Sequence, residues 1–162
     1  MSAFTYCPRC AAPLTEQTHG DRPRPACPAE GCGFVHWDNP VPVVAAIVEH
    51  PDGVLLVRNK GWPEKWFGLV TGFLEKGEAP EEGVLREVEE ELGLRAELGD
   101  FVGLYPFHQA NQLVMAWHVR AAGPVIIGDE LAAYKAIPVS KLRPWPFATG
   151  DAVRDWLARR AG

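Results

Sequence analysis

Between Glu75 and Glu91 the chain sets eight glutamates against one lysine and one arginine, and Glu87, Glu90 and Glu91 fall at i, i+3 and i+4. On a helix that spacing projects three carboxylates from one patch, where like charges cost a few tenths of a kcal/mol per pair. A solvated acidic face tolerates such a cost. A hard divalent cation offsets it, because Mg²⁺ is held by a few carboxylate oxygens and shared with substrate phosphates. The loop Gly72-Phe73-Leu74-Glu75-Lys76-Gly77 carries glycine at both ends, which lets the backbone come close to a metal or a phosphate. Arg86 can pair with Glu82 on the same helix or reach Glu78 before it. Taken together, these residues predict a metal-assisted phosphate site.

The second chemical group is sulfur. Cys7-Pro8-Arg9-Cys10 and Cys27-Pro28-Ala29-Glu30-Gly31-Cys32 hold all four cysteines. Two short knuckles joined by a loop let four thiolates converge tetrahedrally on one zinc ion. Two disulfides are the alternative, and a reducing compartment disfavours them. The segment 1–36 has few apolar residues besides Phe4, Tyr6, Leu14, Phe34 and Val35, so a metal would replace the core it lacks. His19 and His36 lie nearby, but Cys7, Cys10, Cys27 and Cys32 already complete a shell, which makes the expected Zn²⁺ structural rather than catalytic.

The elements that must position these groups can be read coarsely. Trp37-Asp38-Asn39-Pro40-Val41-Pro42 reads as a linker, because its two prolines bar a continuous helix. It separates a small segment, 1–36, from a main domain, 37–162. Val43 to Glu49 is β-branched and apolar, and Pro51-Asp52-Gly53 turns it into a second strand, Val54 to Arg58. After the loop from Lys60 to Lys65, another short strand is expected over 66–71. A helix follows from about Ala79, with Pro80 in its first turn and Gly93 ending it. Its Val84, Val88 and Leu92 form an apolar stripe that should pack on a sheet. Strands are expected near 98–104, 113–120 and 133–137, and a last helix over Asp151 to Arg160 with Thr149 as its cap. The fold class is α/β, helices packed on a mixed sheet.

Composition limits the functional classes. The chain has 162 residues, 47% of them hydrophobic, and a net charge of −5, which argues against a nucleic-acid backbone as partner. No apolar run approaches the roughly 20 residues that cross a bilayer, so no membrane partner is expected. Without a visible secretory signal, the expected location is cytoplasmic.

Gly72, Glu78 and Arg86-Glu87-Val88-Glu89-Glu90-Glu91-Leu92-Gly93-Leu94 together match every defined position of the Nudix box, so the domain resembles the Nudix hydrolases. The four-cysteine segment before it is similar to the zinc ribbon of the NADH pyrophosphatase branch. The resemblance implies an α/β/α sandwich and hydrolysis of a nucleotide substrate, a nucleoside diphosphate linked to another moiety such as NADH or ADP-ribose, by water attack at phosphorus. It also implies that Glu87, Glu90 and Glu91, with a main-chain carbonyl at Thr71 or Gly72, hold Mg²⁺ or Mn²⁺. Glu87 would orient or deprotonate the water, and Arg86 and Glu78 would fix the carboxylates. The branch's additional acid, from outside the box, corresponds to Glu130 in Gly128-Asp129-Glu130-Leu131. The resemblance leaves a homodimer open.

The branch also carries Ser-Gln-Pro-Trp-Pro-Phe-Pro-x-Ser just after the box. Here Leu104-Tyr105-Pro106-Phe107-His108-Gln109-Ala110-Asn111-Gln112 keeps only its first proline in place, and Pro144-Trp145-Pro146-Phe147 comes some forty residues too late and reads as unrelated. The reaction is therefore better indicated than NADH as the substrate. Trp62, Trp66, Tyr105 and Phe107 either stack on a base or belong to the core. His108 and His118 read as exposed or structural. The competing class is a non-catalytic nucleotide sensor or adaptor whose ribbon binds a partner, although such domains usually lose box glutamates and this chain keeps them all.

Overall fold

A computed structural model describes residues 4–161, and the chain divides into two compact units at Asn39/Pro40. In the first, β1 (Thr15–His19) pairs antiparallel with β2 (Arg22–Ala26). Sequence reading did not find this hairpin, because Thr-Glu-Gln-Thr-His offers no apolar face to betray a strand. Gly20, at φ 68°, supplies the left-handed residue of its turn. Trp37 belongs with this unit: the Arg24 guanidinium lies 4.9 Å over its ring and donates a hydrogen bond to its carbonyl.

The second unit contains β3 (Val41–His50), β4 (Gly53–Asn59), β5 (Val70–Phe73), α1 (Pro80–Leu92), β6 (Ala96–Phe107), β7 (Gln112–Ala121), β8 (Leu131–Ile137) and α2 (Thr149–Ala161). The sheet runs β6-β7-β3-β4-β8, and β5 pairs with β3 off that path. Only β3 and β7 run parallel; the other pairs are antiparallel, so the sheet is mixed as expected.

Central β3 is buried on both faces, and its side chains alternate between two cores. Val44, Ala46 and Val48 pack with Val84, Val88 and Leu92 of α1, while Val43, Ala45 and Ile47 pack with Ala152, Val153 and Trp156 of α2. The result is the α/β/α arrangement. Among the described residues no helix is long and apolar enough to cross a membrane.

The strand before α1 and the last helix begin elsewhere than the sequence reading expects. The strand expected over 66–71 begins only at Val70, because Trp66 N–H turns back to the Pro63 carbonyl (2.9 Å) and only Gly68 bridges to Val57. The last helix starts at Thr149, which is its first residue and not a cap. The Thr149 hydroxyl is occupied by accepting a hydrogen bond from the Trp145 indole (3.2 Å).

Candidate active site and metal centres

Helix α1 begins where Pro80 loses nothing by lacking an N–H, and Glu82 closes its first turn by accepting from the Ala79 N–H at 3.2 Å. Gly93, at φ 66°, ends it and donates to the Glu89 carbonyl (2.9 Å). With Val84, Val88 and Leu92 fixed against the sheet, Glu87 turns toward β5. Its carboxyl lies so close to Gly72 that a Cβ there would overlap it.

Arg86 organises the acids around it. Its Nε donates to Glu78 Oε1 (2.7 Å), its Nη1 to Glu87 Oε1 (2.7 Å) and Glu90 Oε2 (2.9 Å), and its Nη2 to the Phe73 carbonyl (3.2 Å). Of the two partners expected from sequence, Glu78 is engaged and Glu82 is not. The Arg86 hydrogen bond, helped by the Glu75 N–H, holds the Glu78 carboxyl below its ordinary value. Glu78 reaches Arg86 across Gly83, where a Cβ would stand 2.9 Å from its Oε2.

A cleft of about 510 Å³ opens over this patch, lined by Glu75, Glu87, Glu90, Glu91, Asp129 and Glu130, with Arg86 as the one cationic side chain among the described residues that line it. Thr71 and Gly72 also line it. Glu130 arrives from the far side of the sequence. The loop before β8 docks on the end of α1 through Ile126 N–H to the Leu92 carbonyl and Gly128 N–H to the Glu91 carbonyl, both 2.9 Å. Gly128 is required there, since a Cβ would overlap the Glu90 carbonyl oxygen. Of the residues nominated from sequence, Gly72, Arg86, Glu87, Glu90, Glu91 and Glu130 thus share one cleft, and Glu78 reaches it through Arg86.

Glu91 is the least comfortable of these acids. It is 6% exposed, and its Oε2 is buried without a hydrogen-bond partner. Burial, with the charges of Glu87, Glu130 and Glu90, pushes its carboxyl up to about 8. Burial also raises Glu87, although Arg86 pulls it down. An orphaned carboxylate oxygen among crowded acids fits a hard divalent cation, which would supply the missing positive charge.

A second cavity of about 640 Å³ adjoins the cleft, sharing Val43, Thr71 and Gln112 with it. Trp62, Trp66 and Phe107 line it, but Tyr105 does not: its buried hydroxyl donates to Asp155 Oδ2 on α2 at 2.9 Å. Trp145 and Phe147, from the segment read as unrelated, form part of the same wall as Phe107. Sequence reading missed Gln112 and also Asn59, which lines the carboxylate cleft with a buried Oδ1 lacking a partner. Both stand at strand ends, and only the strand pairing brings them to these spaces. Of the two histidines, His118 is buried and bonds Glu49 Oε2 (2.8 Å), while His108 is exposed.

In the first unit the Sγ atoms of Cys7, Cys10, Cys27 and Cys32 all lie within 4.8 Å of one another, with Cys7 to Cys32 at 3.6 Å and Cys10 to Cys27 at 3.4 Å. A zinc ion at about 2.3 Å from each sulfur sets tetrahedral edges of about 3.8 Å, so the cluster fits it. Burial raises the Cys7 thiol, but hydrogen bonds from the Arg9 and Cys10 backbone outweigh it and bring it down to about 7. For Cys27 the backbone at Ala29 lowers the thiol, yet burial and the neighbouring sulfurs prevail and carry it up to about 12. Sulfurs this close ionise together only around a cation. His36 sits 3.7 Å from Asp38 and His19 against Trp37, and neither belongs to the cluster.

The model of the NUDIX domain family matches residues 39–157. A relative from Stutzerimonas stutzeri, "NAD-capped RNA hydrolase NudC", is 26% identical over 167 residues, covering 100% of this chain and 59% of its own length. The human "NAD-capped RNA hydrolase NUDT12" is 32% identical over 135 residues, 80% of this chain and 29% of its own. The chain thus spans little more than half of the first and under a third of the second. Among solved structures, a NUDIX hydrolase from Nitrosomonas europaea aligns with a TM-score of 0.81 at 24% identity, covering 98% of this chain and 93% of that one, which supports the fold.

Proposed function

The chain belongs to the Nudix family, and on that footing we propose that it hydrolyses the phosphoanhydride bond of a nucleoside diphosphate linked to another moiety, with Mg²⁺ or Mn²⁺ as cofactor. One observation carries this reading: the buried, unpartnered Oε2 of Glu91, in a cleft lined also by Glu87, Glu90, Glu130 and Arg86.

Glu87, Glu90, Glu91 and Glu130, with the main-chain carbonyl of Gly72 or Thr71, would hold the metal. Bound there, the cation neutralises diphosphate charge and lowers the pKa of coordinated water. Arg86 and Glu78 keep the carboxylates in place before substrate arrives, so little reorganisation is needed at the moment of reaction. Glu87 Oε1 is committed to Arg86 Nη1 at 2.7 Å, leaving Oε2 to orient a water and take its proton. Water oxygen adds to one phosphorus, the bridging P–O bond breaks, and the products are two phosphomonoesters. Relatives named as NAD-capped RNA hydrolases support a substrate that carries an NAD-type diphosphate.

The test is hydrolysis of NADH, ADP-ribose, diadenosine polyphosphates and dNTPs, with and without Mg²⁺. At least one substrate is expected to turn over only with metal, and Glu87→Gln should lower kcat on the order of 10²-fold or more. No metal-dependent cleavage of any of these compounds would overturn the reading.

The ribbon is proposed to hold one structural Zn²⁺ through Cys7, Cys10, Cys27 and Cys32.

A further inference from the structure

Asn59, the last residue of β4, has no part in the chemistry proposed above. Side chains of β4 alternate between the two cores: Val54 and Leu56 pack on the α2 side, Leu55 and Val57 on the α1 side. Asn59 continues the α1-side row one step beyond Val57, where the apolar core ends and the carboxylate cleft begins. Its Oδ1 is buried and has no hydrogen-bond partner among the described residues. An acceptor left in that condition costs stability that an apolar side chain of similar shape does not.

The main chain around this side chain is fixed. Arg58 lies opposite Ala133 but Asn59 opposite Leu131, so Ala132 is the extra residue of a bulge on β8. The shift sets Asn59 beside the residue that follows Glu130, and the Lys60 N–H donates to the Glu130 carbonyl at 2.9 Å. The Asn59 carbonyl accepts from the Trp62 N–H (3.2 Å). A bulge next to a site re-aims a side chain, and here it ties Asn59 to the loop that brings Asp129 and Glu130 into the cleft.

The cleft surrounds Asn59 with acceptors. Glu91 Oε2 is a second buried oxygen without a partner, and Arg86 is engaged by Glu78, Glu87, Glu90 and the Phe73 carbonyl. Gln112, on β7, stands on the other side of β3 from β4. A hard cation that keeps part of its water satisfies both orphaned oxygens at once: carboxylates take the ion, and its waters need acceptors for their hydrogens. Resting on the divalent cation proposed for this cleft, we infer that Asn59 is a positioning residue of that centre, its Oδ1 accepting a hydrogen bond from a water on the cation. An amide does this without adding a further negative charge to Glu75, Glu87, Glu90, Glu91, Asp129 and Glu130, which line the same space.

The test measures Mn²⁺ binding by calorimetry, and thermal unfolding with and without Mn²⁺, for wild type, Asn59→Leu and Asn59→Asp. Asn59→Leu is expected to weaken Mn²⁺ binding about tenfold or more, as the loss of an outer partner of a metal does. Without metal it should unfold at or above the wild-type temperature, because it removes an unpaired acceptor, and it should gain less than wild type from Mn²⁺. A side chain with a purely structural role would instead lower the metal-free midpoint and leave the gain from Mn²⁺ unchanged. Asn59→Asp, which keeps the oxygen, should bind Mn²⁺ at least as tightly as wild type. Where Asn59→Leu unfolds early without metal, Asn59→Ala, which adds no bulk, takes its place. Wild-type Mn²⁺ affinity in the variant so chosen, or a loss in Asn59→Asp equal to that in Asn59→Leu, overturns the assignment. Mn²⁺ binding that depends on Asn59, in a wild-type protein that hydrolyses none of the nucleotides, would sink the proposed reaction and leave the assignment standing.

Discussion

The carboxyl of Glu87 rests against the Cα of Gly72, two side chains' worth of space reduced to one because Gly72 has none. Gly72 pairs with Val44 on β3, so the strand cannot retreat, and Glu87 is held from the other side by Arg86. Gly72→Ala should therefore displace the Glu87 carboxylate and lower kcat on the order of 10²-fold, as a misplacement of about 1 Å does. Circular dichroism should show the fold retained. Full activity in that variant would mean that Glu87 is not the group that handles the water.

Replacing Arg86 tests whether the guanidinium fork matters or only its charge. It donates to Glu78, Glu87, Glu90 and the Phe73 carbonyl at once. Lysine keeps the charge but not the planar set of donors. Arg86→Lys is expected to lose about 10- to 100-fold in activity or metal affinity, nearly as much as Arg86→Ala. Metal titration alongside steady-state kinetics measures both, and wild-type values in Arg86→Lys would reduce the fork to a point charge.

Glu91 links metal to pH. Its folded-state value, about 8, lies above the ordinary carboxylate range, so the metal-free native state binds the extra proton. The corresponding stability is fully present below the unfolded value and is lost as pH rises through about 8. Thermal unfolding of the metal-free protein should therefore shift downward between pH 6 and pH 9, and Mn²⁺ should raise the midpoint most at the alkaline end. Glu91→Gln should flatten both trends. A metal-free midpoint that climbs over this interval would contradict the assignment.

The ribbon should stand or fall with its metal. Elemental analysis is expected to find one zinc per chain, and Cys7→Ser should abolish it. Proton release on zinc binding follows from thiols that cannot ionise together without a cation. Proteolysis after chelation should cut first between β1 and the knuckles, leaving the unit from Pro40 onward intact. Zinc-free protein with an undiminished resistance in residues 4–39 would show that the hairpin holds itself.

Much of the fold was legible in one dimension because burial writes itself as periodicity. The unbroken Val43 to Val48 run reads as a strand covered on both faces, and Val84, Val88 and Leu92 read as a helix stripe; both lie fully or almost fully buried. Pro80 and Gly93 mark their helix ends through backbone chemistry that needs no tertiary contact. The hairpin of β1 and β2 escaped because its residues carry no burial signal, and Trp66 to Leu69 imitated a strand that only Gly68 bridges to.

The same division holds at the site. The sequence by itself determined the carboxylate patch, since Glu87, Glu90 and Glu91 share a helix and the helix geometry fixes their spacing. It also determined the thiol set, since two knuckles hold every sulfur. Only the tertiary structure decided which distant residues complete the cleft. Glu130 reaches it because Gly128 allows its loop to dock on the end of α1, and Gln112 and Asn59 reach it through strand register. It alone joined Phe147 to Phe107, forty positions apart, and removed Tyr105 to a bond with Asp155. Contacts across a sheet depend on pairing and on loops that return from far along the chain, and neither leaves a periodic trace in the residues that make them.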